Sequence, residues 1–185
     1  MNKLDQSLDR LLKLLDDKDF LEGRGLSNEV NIRILAYDPK EEMRVRYFIE
    51  RILSGQKFEA NSRIFNLYEI VLGICEERKI LKTIPSMEEK KGSEYLLGQI
   101  QKIANAKTVA NKIMSEGFEK DEVIVLTRVG EVFPFLRIHN LLENMQAQSI
   151  GVPIIVFYPG DFENHQLKLF KKFKANDYYR AFTII

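Results

Sequence analysis

The sequence is poor in the residues that build most recognisable sites. It has one cysteine, Cys75, and two histidines in 185 residues. A single cysteine excludes an intrachain disulfide framework and any zinc site built on cysteines. That usage fits a reducing compartment, and the cytoplasm is the expected location. His139 and His165 lie on separate segments, so no ligand spacing marks a metal centre, and no metal or other cofactor is expected. No apolar run approaches the ~20 residues that a membrane helix needs. Asp5, Asp9 and Lys13 interrupt the N-terminal leucines, unlike a signal peptide, and no membrane partner is expected. No serine sits on the sharp, glycine-flanked turn of a hydrolase nucleophile. Charge of one sign is also lacking. The net charge is +1 with 30% charged residues, so no global field favours nucleic acid or acidic substrates.

What is present is apolar patterning, at 45% hydrophobic residues. That is enough for one domain over residues 1–185 with a substantial core. Leu4, Leu8, Leu11, Leu12 and Leu15 recur at helical spacing, which predicts an amphipathic arm over 1–25, ended by Gly23 and Gly25. A helix this short is marginal alone and must dock, in cis on a sheet or in trans on a partner. Strands are expected at 30–37, 63–67, 123–126, 152–158 and 178–185. Helices are expected between them and over 167–173. Met43, Tyr47, Phe48 and Ile52 would form the buried face of the helix after the first strand. Ser86 and Glu89 have capping-box spacing, and Cys75 reads as a small core residue. Alternation of this kind predicts an α/β fold with a mostly parallel sheet of about five strands and helices on both faces. The layout is Rossmann-like, or that of a degenerate P-loop fold without its phosphate-binding loop. At the first strand-to-helix crossing, Asp38-Pro39-Lys40-Glu41 places two carboxylates where a P-loop offers free N–H groups, so no nucleotide is expected there.

The stretch from Val123 to Met145 is the expected organising unit. A buried-type strand runs to a turn at Gly130, and Pro134 is placed to open a helix carrying Phe135, Ile138, Leu141, Leu142 and Met145. In open α/β sheets, ligands and partners meet the carboxyl ends of the strands. Arg128, Glu131, Phe133, Arg137 and His139, with Tyr158 and Asp161 after the next strand, have the aromatic and arginine composition of an interaction hot spot. A partner surface is therefore the leading expectation. A pocket in which Glu131, His139 and Asp161 converge, enzymatic or ligand-binding, is the alternative. Contact with DNA through Lys168, Lys171, Lys172 and Lys174 is the third reading.

Four blocks in order carry a resemblance: Leu126 to His139, Val156-Phe157-Tyr158-Pro159-Gly160, Leu167-Lys168-Leu169-Phe170, and Tyr178-Tyr179-Arg180-Ala181-Phe182. Together they resemble the BrxB family of BREX phage-defence systems. The resemblance implies a cytoplasmic defence component acting beside a large ATPase, a DNA methyltransferase and a PglZ-type alkaline-phosphatase-like protein. It implies binding to other BREX components, the PglZ-type protein foremost, with association of the complex with DNA as a further expectation. No catalytic residues carry over from it. Gly130, Pro134, Arg137, His139, Tyr158, Pro159, Gly160, Tyr179 and Arg180 are the family-motif positions.

Overall fold

A computed structural model describes residues 2–23, 31–55, 60–148, 151–173, 176–177 and 181–183. Five strands form a parallel layer: β1 (Ile32–Tyr37), β2 (Asn61–Asn66), β3 (Glu122–Thr127), β4 (Ile154–Glu163) and β7 (Ala181–Thr183). Their spatial order is β2-β3-β4-β1-β7, and every neighbouring pair in that order is parallel. β5 (Gln166–Leu169) and β6 (Asn176–Asp177) add an antiparallel extension beyond β4. The expected α/β architecture is the observed one. The expected terminal strand contains β7, while Val30, Gly25 and the motif residues Tyr179 and Arg180 lie outside the described residues.

β3 and the first part of β4 are buried throughout because helices cover both faces of the sheet. On one face, α1 (Lys3–Leu15) buries Leu4, Leu8, Leu11 and Leu15 against Leu35, Val123, Val125, Ile155 and Phe157. The leucine arm therefore docks in cis. Asn2 and Asp5 close a capping box at its start, a single turn α2 (Lys18–Leu21) follows, and Arg44 ties Asp5 to the helix after β1. On the other face lie α4 (Leu67–Glu77), α6 (Ser93–Ile103), α7 (Ala106–Met114), α8 (Val129–Val132) and α9 (Ile138–Gln146), around Ile34, Ile124, Leu126 and Val156. Cys75 is fully buried here, and burial pushes its thiol pKa up, as suits a core residue rather than a nucleophile.

Two local expectations fail. After Asp38, the chain makes a 3-10 turn (Pro39–Glu41), then α3 (Glu42–Phe48), then a π-helical turn (Ile49–Leu53). The change of pitch rotates the buried face to Val45, Phe48 and Leu53, the last pair five residues apart as a π turn requires. Met43 and Tyr47, expected in the core, are 70% and 63% exposed. Ser86 is likewise no cap. It lies inside α5 (Ile84–Lys91), where its hydroxyl donates to the Thr83 carbonyl. α7 does have a side-chain cap, with Asn105 accepting from the Thr108 N–H at 3.0 Å. Asn105→Ala is expected to lower stability by about 1 kcal/mol, read as a shift of the urea midpoint.

Candidate interaction site at the carboxyl ends of the strands

The β3-to-α9 crossing is built differently from its sequence-based expectation. Thr127 ends β3, its hydroxyl donating to the Phe65 carbonyl at 3.1 Å. Arg128 then takes a left-handed conformation (φ 63°), a costly geometry for a residue with a β-carbon. That turn starts α8 at once, so Gly130 sits inside a short helix rather than at the turn. Pro134 does not open the following helix. It lies in a turn after a cis Phe133–Pro134 peptide, with its carbonyl held by the Gln101 side chain at 2.9 Å, and α9 begins only at Ile138. Gly130 has a packing reason. A β-carbon there would stand 2.8 Å and 2.9 Å from ring atoms of Phe170 and 3.1 Å from Pro159.

Phe170 arrives there because the segment after Tyr158 is a hairpin, not a loop and helix. β4 continues through Pro159-Gly160 to Glu163 and pairs antiparallel with β5. Asn164 and His165 both have positive φ, the two-residue linker of a type I′ hairpin. Leu167 and Leu169 are buried while Gln166 and Lys168 are exposed, so the period is two, as in a strand, and not helical. Gly160 faces the close approach of β5, where a β-carbon would lie 2.3 Å from the Lys168 carbonyl oxygen. Pro159 and Gly160 are thus buried mid-strand residues, and Tyr158 is buried with them. Burial also raises the Tyr158 phenol pKa, with the Asp161 charge adding to it. Among the described residues 168–173, the expected basic helix is absent. Lys171 instead pairs with Asp38 at 2.9 Å and approaches Asp161 at 3.9 Å, and Lys174 lies outside the described residues.

Two concavities flank the crossing. The first, of about 240 Å³, opens beside the ends of β1, β2 and β3, lined by Tyr37, Asn66 and Thr127 among others. Here Glu42 accepts from the Tyr37 hydroxyl at 2.6 Å and from Arg46 at 2.9 Å. Arg46 also donates to Glu131 across the crevice, so it ties α3 to α8. Arg128 lies 3.4 Å from Glu131 and 3.7 Å from Glu50. Burial raises the Tyr37 pKa, and the Glu42 acceptor raises it further. Hydrogen bonding to Glu42 is the main cause of a raised Arg46 pKa.

The second concavity, of about 140 Å³, is apolar. Phe133, Leu136, Arg137, His139, Leu167 and Phe173 line it between the crossing and the hairpin. The Phe133 and Phe173 rings are 4.6 Å apart, and Phe173 is 44% exposed. The exposed Arg137 guanidinium lies 5.9 Å from the Phe133 ring centre, within reach of a cation–π contact. Among the described residues Arg137 forms no ion pair. His139 is half-buried beside it. Burial lowers its pKa below 6.5, Arg137 lowers it further, and Glu143 opposes the shift. Because the folded form disfavours the proton, its full contribution to stability is present above pH 6.5. That contribution is lost as pH falls through 6.5 toward the lower folded value. His139→Asn is therefore expected to flatten the acid dependence of the urea midpoint between about pH 7.5 and about pH 5.5. An unchanged dependence contradicts this; His165 is common to both proteins.

The structure brings Arg128 and Glu131 together in the charged crevice, and Phe133, Arg137 and His139 together in the apolar groove. Asp161 faces Lys171 at the hairpin. Among the described residues no hydrogen bond or ion pair joins Glu131, His139 and Asp161, and none of their groupings of acidic, histidine or cysteine residues suits a metal ion. Sequence reasoning missed Arg46 and Phe173. Arg46 stands four residues after Glu42, the spacing of a helical ion pair, and that was its available signal. Phe173 carries no such signal, because its place depends on the hairpin.

The comparisons agree with this arrangement of motifs. Residues 63–184 match the family model described as "BrxB: BREX protein BrxB". A BREX protein BrxB from Bacillus cereus (strain H3081.97) is 35% identical, the match covering 100% of this chain and 99% of that protein. A BREX protein BrxB from Escherichia coli O9:H4 (strain HS) is 25% identical over 98% of this chain and 92% of that protein. No solved structure matches the chain. With full-length coverage and a family match over most of its length, the chain belongs to the BrxB family of BREX proteins.

Proposed function

We propose that this protein is a non-catalytic, cytoplasmic assembly component of a BREX-type antiphage system, and that it binds the PglZ-type component through the apolar groove beside α9. The observation that carries the reading is Arg137. It is an exposed cation with no ion pair among the described residues, laid over Phe133 next to a half-exposed Phe173. Aromatic residues with an arginine able to bind carboxylates bidentately are the composition of interface hot spots. Arg137 also occupies the N-cap of α9 without a capping side chain, where a cation opposes the helix dipole. A residue held against the helix's own preference marks a functional constraint. Arg128, Glu131 and Asp161 support the edge through their ion pairs, and Tyr158 supports it from beneath.

The test is co-purification of tagged protein with each component of its own BREX system, expressed pairwise. The PglZ-type protein is expected to co-purify, and the association is expected to survive nuclease treatment. Failure of every pair overturns the assembly reading. Retention of a different component alone overturns the assignment of the partner.

A further inference from the structure

We propose that the open edge of β2 accepts an extended peptide as an added strand, and that the peptide carries a lysine or arginine at the end lying beside Asn66. This surface is separate from the groove at α9 and does not depend on which BREX component binds there.

β2 is the edge of the sheet, paired with β3 on one side, and no described element pairs with its other side. Edge strands are normally blunted by proline, lysine, a bulge or a covering segment. The six residues Asn-Ser-Arg-Ile-Phe-Asn contain neither proline nor lysine. Their one cation, Arg63, is turned back onto the protein. It donates to the Gly117 carbonyl at 2.6 Å, pairs with Glu116, and lies 4.7 Å from the Phe118 ring centre. Beside the strand runs an open cavity of about 430 Å³, with Ile64 and Phe65 from β2, Ile70 and Gly73 from α4, and Lys112 from α7 among its walls. A β-carbon at Gly73 would meet nothing within 4 Å, so the groove has room where α4 borders it. The unpaired N–H and C=O groups of an edge select an extended backbone, and alternate pockets select its side chains.

The charge of the occupant follows from the end of the groove. Ile64, Asn66 and Glu69 line both this cavity and the crevice at the strand ends. Three carboxylates, Glu42, Glu50 and Glu69, line that crevice with two guanidiniums, Arg46 and Arg128, and both guanidiniums also reach Glu131 at its border. Glu42 and Glu131 are engaged by Arg46, while Glu50 is 64% exposed and meets only the 3.7 Å approach of Arg128. The excess of carboxylate favours a cationic side chain there and disfavours phosphate or an acidic residue.

The experiment uses the full chain against a displayed library of short random linear peptides. Enriched peptides are expected to alternate apolar residues and to carry lysine or arginine at one end. Binding is expected to slow amide hydrogen exchange at Ser62 to Asn66. Gly73→Gln puts a side chain into the groove at a helical position that prefers glutamine to glycine. It is expected to weaken peptide binding at least about tenfold with thermal stability retained. Glu69→Lys is expected to abolish the preference for a basic end. No enriched peptide, enriched peptides that bind Gly73→Gln equally, or exchange protection located away from β2 each overturns the proposal. No BREX component enters the measurement, so its failure is distinct from failure of the co-purification.

Discussion

Gly160→Ala is expected to destabilise the protein by about 3 kcal/mol, at the upper end of overpacking costs, because the obstacle is backbone. The added methyl would stand 2.3 Å from the Lys168 carbonyl oxygen and 3.0 Å from the Phe170 nitrogen. Both belong to the strand-and-turn segment hydrogen-bonded to β4, with Phe170 N–H donating to the Pro159 carbonyl at 2.8 Å. The methyl therefore fits only if β5 separates from β4. Gly130→Ala is the informative contrast. Its obstacles are ring atoms of Phe170 at 2.8 Å and 2.9 Å and Pro159 at 3.1 Å, and a half-buried ring can rotate away. It is expected to cost about 1 kcal/mol, the lower end of the same range. Urea denaturation of both variants checks the order. A Gly160→Ala protein that loses less than Gly130→Ala contradicts the account of the hairpin.

That hairpin also shows where the sequence stops being legible. The buried strands β3 and β4 are plain in Val123 to Leu126 and in Ile154 to Phe157, because a strand covered on both faces must be apolar at every position. The leucine arm is equally plain, since four of its five striped leucines are buried on one face. Leu167, Leu169, Phe170 and Phe173 are ambiguous on spacing alone. The deciding feature is Asn164-His165, which lacks the glycine that usually announces a type I′ turn. Without that hairpin, the sequence places Phe173 outside the candidate site and gives Lys168, Lys171 and Lys172 a helix they do not have. Met43 and Tyr47 failed for a different reason. A constant helical pitch was assumed across a segment that passes from 3-10 through α to π geometry.

The candidate site was legible as a location and only partly as a grouping. Arg128, Glu131 and Arg137 sit where the strand-end rule places them. The sequence could not say that Arg128 and Glu131 are committed to internal ion pairs while Arg137 has none among the described residues, because that depends on Arg46 and Glu50 reaching across from α3 and the π turn that follows it. The carboxyl-end crevice of a Rossmann-like sheet is here closed in part by side chains that hold α3 to α8. The neighbouring approach is filled by β5 and Phe170, which packs against Gly130 where other folds leave a glycine open for phosphate.

Arg137→Glu is accordingly expected to weaken association with the PglZ-type component by roughly thirtyfold or more, the effect of losing a hot-spot residue worth about 2 kcal/mol. The same substitution is expected to leave the fold intact and to raise its stability by a few tenths of a kcal/mol, since a carboxylate at the start of α9 suits the helix dipole that the arginine opposes. Stability and binding thus move in opposite directions, which a general loss of structure cannot produce. Arg137→Lys keeps the charge and loses the planar fork, so it is expected to fall between the two proteins. Lys90→Glu, at an exposed position near the end of α5 and outside the groove's lining, reverses a charge and is expected to leave binding unchanged. Affinity measured by calorimetry on the purified pair, with thermal melting of each variant alongside, reads both quantities. Equal loss for Arg137→Glu and Lys90→Glu would assign the effect to net charge, and undiminished binding of Arg137→Glu would remove the groove beside α9 from the interface.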